Sequence, residues 1–97
     1  MSTYTLRFSP KADKLISRYI KSNPVLKSKL SKALKTLSEK PFSTVLRTHK
    51  VYTSKYGLVY SSVVSGDVRI LWQISEDKVV IIILTIGGHS GKRNVYS

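Results

Sequence analysis

The residues with most chemical capacity come late in the chain. After the pair Gly87-Gly88 follow His89, Lys92, Arg93 and Tyr96. A rigid strand that ends in two glycines and leads into a basic, ring-bearing tail is a way to hold reactive side chains beside a polyanion. The other of the two histidines, His49, lies between Arg47 and Lys50. Imidazole titrates near neutral pH and serves as proton donor or acceptor. Arg69 stays charged and offers planar donors that match a phosphate. Tyr96 can stack on a base or give its hydroxyl. With two histidines and no cysteine, no metal-ligand set is expected.

These groups need a scaffold, and the patterning supplies one. Val79–Ile86 reads VVIIILTI, without alternation and rich in β-branched residues. That predicts a strand buried on both faces at the middle of a sheet, broken by Gly87-Gly88. Val68–Ser75 alternates: Val68, Ile70, Trp72 and Ile74 share one face, Arg69, Leu71 and Gln73 the other. Arg69 is therefore turned away from the core. Ser65-Gly66-Asp67 predicts a tight turn before that strand, and Glu76-Asp77-Lys78 a short polar connection after it.

Further upstream, Thr3–Phe8 alternates and predicts a half-buried strand. Ser9-Pro10 gives a helix start, and Ala12, Leu15, Ile16, Tyr19 and Ile20 form an apolar stripe. Asn23-Pro24 repeats the start signal for a second helix to about Ser38. Leu26, Leu30, Ala33, Leu34 and Leu37 form its buried side, and Lys27, Lys29, Lys32 and Lys35 project outward. Val45–Tyr52 is expected as a strand carrying Arg47, His49 and Lys50. Residues 53–57 form a loop and Leu58–Ser65 the next strand. The class is α+β: a helical hairpin on one face of a mainly antiparallel meander sheet.

Composition narrows the function classes. At 97 residues, one domain is expected over residues 1–97. Seventeen Lys and Arg face five Asp and Glu, for a net charge of +12. Such a chain needs a polyanionic partner or a mask. Residues 1–40 hold ten basic and two acidic groups (+8), residues 41–97 seven and three (+4). Most of the charge thus sits on the helices, as a delocalised footprint. The lack of cysteine excludes disulfides and fits a reducing cytoplasm. No signal peptide or membrane anchor is indicated, and the longest apolar run is too short to span a bilayer.

The element order, Arg47-Thr48-His49-Lys50-Val51, Gly66-Asp67-Val68-Arg69-Ile70-Leu71-Trp72, and Ile86-Gly87-Gly88-His89 with Val95-Tyr96 together resemble the RelE/ParE superfamily of type II toxins. The similarity spans nearly the whole chain and is nearest to the RelE and YafQ branches, whose members cleave messenger RNA in the ribosomal A site. The resemblance implies a β-α-α-β-β-β RelE-like fold and an mRNA interferase needing no metal or small-molecule cofactor. It implies as partners an acidic cognate antitoxin, mRNA and the ribosome with its rRNA, and no membrane. His49 falls on a YafQ-branch histidine, Asp67 on its acidic position and His89 on its late catalytic histidine. Arg69 matches the arginine that RelE-like toxins direct at the scissile phosphate, and Tyr96 the tyrosine near the RelE carboxyl terminus. Lys92 and Arg93 lie in the basic tail. Where YafQ carries a second histidine this chain has Val63, and the His89-to-Tyr96 spacing is nearer that of RelE.

On this reading His89 is the main proton-transfer residue and Arg69 the clamp on the transition-state phosphate. His49 is a second proton-transfer or phosphate-binding residue, Asp67 orients a histidine or arginine, and Arg47, Lys50, Lys92 and Arg93 bind RNA. Plainer explanations exist for several. Asp67 after Gly66 is accounted for by the turn alone. Either histidine could be a surface residue, and Tyr96 a terminal one. Two other functions share these features: a ParE-type inhibitor of DNA gyrase, and an RNA-binding domain without catalysis.

Overall fold

The computed structural model describes residues 3–21 and 23–88. Their elements are β1 (Thr5–Phe8), α1 (Pro10–Ile20), α2 (Pro24–Glu39), a 3-10 helix (Thr44–Leu46), β2 (His49–Thr53), β3 (Gly57–Ser65), β4 (Val68–Ile74) and β5 (Val80–Gly88). Four strands follow the helices, as many as the strand readings along the chain expected, so the β-α-α-β-β-β order counts one too few. The sheet runs β1-β5-β4-β3-β2. β1 pairs parallel with β5, and the other three pairings are antiparallel.

Both helices start as their sequences dictate. Ser9 accepts from the Ala12 amide at 3.0 Å and Asn23 from the Leu26 amide at 3.0 Å, each directly before a proline. Each side chain thereby satisfies one of the amides left open in a first turn. The apolar stripes then meet the sheet. Ala12, Leu30, Ala33 and Leu37 join Leu46, Ile70, Trp72, Ile81, Ile83 and Ile86 in one buried cluster.

The lack of alternation in the last strand has a structural cause. Leu71 pairs with Thr85 and Trp72 with Ile83, so Leu84 is the extra residue of a β-bulge. A bulge places two consecutive residues opposite one and re-phases those that follow. Ile81, Ile83 and Ile86 thereby all reach the helix side, while Ile82 and Leu84 pack with Val59 and Leu71 on the other. The bulged carbonyl is not left open: Ser9 Oγ donates to Leu84 O at 2.7 Å. One serine therefore caps α1 and fastens it to β5.

Three expectations need correction. The centre of the sheet is β4, with β5 one place to its side. Gly87-Gly88 do not break the strand; they pair with Arg69 and Val68. A glycine in a ladder keeps its backbone hydrogen bonds and loses only side-chain contacts. Nor does Val45–Tyr52 form one strand. Ser43 accepts from the Val45 amide, Thr44–Leu46 turns as a 3-10 helix, and Arg47 is left-handed at φ 49°. Leu46, 1% exposed, plugs into the core, and that burial outweighs the extended preference of the flanking residues.

Candidate functional site

Alternation along the strands fixes which side chains share a surface. The helices cover the face of Ile70, Trp72 and Ile83. The other face carries His49, Ser61, Leu71 and Thr85 in one row across four strands, and Val63, Arg69 and Gly87 in the next. His49 and Arg69 thus stand on the same face, two strands and one row apart. Strand spacing and rise put their Cα atoms about 12 Å from each other. Gly87 pairs with Arg69, is buried, and offers no side chain of its own beside it. Arg7 joins this face on β1, paired with Ile82.

The tautomer of His49 follows from its partner. Nδ1 lies 3.0 Å from the Arg47 carbonyl oxygen. A carbonyl only accepts, so Nδ1 carries the hydrogen and the neutral ring keeps its lone pair on Nε2. A lone pair on the ring is what a base needs. The left-handed Arg47 turns its carbonyl to the ring, so the irregular segment that replaces the expected strand is what orients the histidine.

A chain of hydrogen bonds holds this segment down. Trp72 Nε1 donates to Ser62 Oγ at 2.8 Å, Ser62 and Thr48 hydroxyls lie 2.7 Å apart, and Thr48 Oγ1 donates to Pro41 O at 2.7 Å. Thr48 gives its single hydrogen to Pro41, so Ser62 must donate to Thr48. The direction is therefore Trp72 to Ser62 to Thr48 to Pro41. It links the core tryptophan to the residue before His49. Phe42 closes the same corner, edge-on to Tyr60 at 5.2 Å between ring centroids.

Arg69 is half-buried, and its Nη1 donates to Gly66 O at 2.5 Å and to Val68 O at 3.3 Å. Among the described residues these two bonds hold the guanidinium over the β3–β4 turn. That turn has Gly66 at φ 45° followed by Asp67, the two-residue form in which the first position requires glycine. Asp67 is exposed on it. Lys50 pairs with Tyr60, whose ring stacks on Trp72, so it stands on the helix-side face, away from His49 and Arg69. Arg47 is exposed and off the sheet. His89, Lys92, Arg93 and Tyr96 lie outside the described residues.

The structure adds cations that the pattern did not flag. Tyr56, in the loop after β2, folds onto Val59, Leu71 and Leu84. Lys55 Nζ lies over its ring at 5.6 Å from the centroid. Lys11, at the start of α1, reaches Lys55. Its ammonium pKa is lowered, first by desolvation and then by the neighbouring Lys55 ammonium. Two lysines drawn together mark a place where an anion would relieve repulsion. No local sequence signal pairs residues 44 positions apart; only the curl of the hairpin over the sheet does so. Among the described residues, no group of three or more His, Cys, Asp or Glu could hold a metal ion, and no helix is long and apolar enough to cross a membrane.

No protein-family model matches the chain, and no curated protein matches it significantly. Solved structures do. A YoeB/ParE toxin from Agrobacterium tumefaciens superposes with a TM-score of 0.74 at 9% identity, covering 89% of this chain and 99% of that one. The YoeB dimer from Staphylococcus aureus gives 0.73 at 16%, with coverage of 92% and 100%. An archaeal RelE–RelB complex from Pyrococcus horikoshii gives 0.67 at 18%, with coverage of 91% and 97%. At such identities the likeness is one of architecture: two helices on a five-stranded mixed sheet, the fold of RelE/ParE-superfamily toxins, is the fold of this chain.

Proposed function

We propose that the chain is the toxin of a type II toxin–antitoxin pair, a ribosome-dependent endoribonuclease that cuts translated mRNA in the A site. The observation that carries this reading is the shared sheet face. It carries the His49 ring, whose Nδ1 faces the Arg47 carbonyl, and the Arg69 guanidinium on one side of the sheet, and the Gly87 that pairs with Arg69 stands two positions before His89 in the sequence.

The chemistry divides among side chains. The 2′-hydroxyl of the nucleotide before the cut attacks its own 3′ phosphorus. The O2′–P bond forms and the P–O5′ bond breaks, leaving a 2′,3′-cyclic phosphate and a 5′-hydroxyl. One imidazole takes the proton from O2′ and another gives one to O5′; His89 is the main proton-transfer residue and His49 the second. Arg69 leaves the turn carbonyls to neutralise charge on the pentavalent phosphate. Tyr96 stacks on a base or donates its hydroxyl, and Asp67 holds the turn beside Arg69. Arg47, Lys92, Arg93 and, from the helix-side face, Lys50 contact RNA phosphates outside the scissile one. The reaction balances without a metal.

An acidic antitoxin masks the +12 charge. The structural relatives include a toxin bound to its RelB partner, which supports a partner of that class here. The experiment is induction of the chain alone, followed by primer extension on cellular messages with translation running or blocked. Cuts that follow the reading frame and vanish when ribosomes are kept off the message support the reading. DNA double-strand breaks ahead of any message cutting would establish gyrase inhibition instead, and message binding without cuts would leave a non-catalytic RNA-binding domain.

A further inference from the structure

A cleft of about 310 Å³ opens between α2, the 3-10 helix and the end of β3. Ala33 and Leu46, both buried, and the half-buried Val64 give it an apolar floor. Lys29 and Lys32 stand on the α2 rim, and Val45, 75% exposed, stands on the other. Lys29 Nζ reaches across to Ser65 Oγ at 3.3 Å. No acidic side chain is among the described residues that line it.

We propose that this cleft docks an aliphatic side chain of an acidic polypeptide segment, whose flanking carboxylates pair with Lys29 and Lys32. The inference rests on the antitoxin part of the reading above and gives that partner a seat on the chain. Two features choose the occupant. The two cations, with Lys27 and Lys35 beside them on the exposed side of α2, select a negatively charged partner and oppose a second copy of this chain. The apolar floor and Val45 then separate peptide from RNA. A phosphate backbone gains nothing from covering valines and leucine, whereas a leucine or isoleucine side chain loses its own water contact there. The cleft also borders the candidate site. Gly66 lines it, and the Gly66 carbonyl holds Arg69. An occupant therefore sits against the turn on which the arginine rests.

The test uses the full chain and two fluorescein-labelled twelve-residue peptides, one of repeated Glu-Glu-Leu-Leu and one of repeated Glu-Glu-Ser-Ser. The leucine peptide should bind about tenfold more tightly than the serine peptide. Val45→Asp, on an exposed position that leaves the core intact, should erase that preference. Lys29→Glu with Lys32→Glu should weaken both peptides, the leucine one by about tenfold or more. Amide NMR shifts on binding should centre on Val45 and Val63–Gly66. Equal affinity of the two peptides would mean diffuse charge attraction and would overturn the assignment. So would displacement of the leucine peptide from those amides by a twelve-nucleotide RNA. Message cutting is read separately by primer extension, so either reading can fail without the other.

Discussion

Replacing Ser62 with alanine should be among the most damaging single-atom changes in this protein. Its hydroxyl accepts from Trp72 Nε1 at 2.8 Å and donates to Thr48 Oγ1. Trp72 and Ser62 are both 0% exposed, so no bulk water replaces what is lost. The indole N–H then has no acceptor, and a buried donor left unmet costs about 1–3 kcal/mol. A middle value of about 2 kcal/mol can be converted to temperature. About 2.1 cal/mol/K per residue over this length gives an unfolding entropy of about 0.2 kcal/mol/K, so the melting temperature should fall by about 10 °C. Far-UV circular dichroism should be the monitor, because Trp72 is the only tryptophan and its fluorescence will change with its own partner. Thr48→Val breaks the next link and should cost less, about 1 kcal/mol, since Thr48 is only half-buried. The double variant should cost less than the sum, because Ser62 serves both neighbours. A Ser62→Ala protein within about 0.5 kcal/mol of the parent, or strictly additive losses, would refute the chain of bonds as drawn.

Other consequences are as direct. His89→Ala and Arg69→Ala should each abolish toxicity on induction while leaving the melting curve unchanged; loss of one proton-transfer group typically costs about 10²–10⁴ in rate, and full toxicity in either variant removes that residue from the mechanism. Lys55→Glu should weaken RNA binding and make it less steeply salt-dependent, whereas Lys11→Met, which removes one of two crowded ammonium groups, should weaken RNA binding without lowering stability; filter binding across a salt series and a melting curve read both. Asp77 should shape the acid limb of the stability curve. Its carboxyl pKa is lowered, first by the Ser75 hydroxyl and then by the Val79 amide. A carboxyl with a folded pKa below its unfolded value adds stability above the unfolded value, and that stability is lost as pH falls through the folded one. Asp77→Asn should therefore flatten the loss of stability below about pH 4, and an unchanged acid limb in urea titrations would count against it.

What was legible in the sequence is what depends on local period and on caps. Ser9-Pro10 and Asn23-Pro24 start helices because a side-chain oxygen and a proline act within one turn, without help from the rest of the fold. The faces of β4 were readable because alternation there is uninterrupted, and that placed Arg69 opposite Ile70 and Trp72. The misreadings fall where tertiary contacts override local preference. Val45 and Leu46 look like strand residues, yet Leu46 gains more by filling a core position than by extending. The run VVIIILTI hides a bulge, because every residue in it is apolar enough for either face. Lys50 beside His49 reads as one basic cluster in sequence, and the pleat sends the two to opposite sides.

The bulge and the irregular segment bear on the site together. Without the extra residue at Leu84, Ile86 would fall on the face of Arg69 and Gly87 on the helix side, by the period of two along a strand. An isoleucine side chain would then stand beside Arg69, where Gly87 has none. In the same way, an extended Val45–Tyr52 would carry the Arg47 carbonyl along the ladder and leave the His49 tautomer unset. One departure from regular structure thus sets which β5 residue stands beside Arg69 and the other orients the His49 ring, and each is held by a partner far away in sequence: Leu84 by Ser9, and the residue before His49 by Ser62 and Trp72. The candidate site in a chain this small depends on irregularities that the packed sheet stabilises. Ser9→Ala offers a check on this. It removes both a helix cap and the bond to the bulged carbonyl, and should cost about 2–3 kcal/mol from the two losses combined. If the bulge is what turns Gly87 toward Arg69, the amide resonances of Thr85 to Gly87 should shift in this variant while those of β2 stay in place. A loss of stability without any shift at those amides would show that the bulge is held by β4 alone.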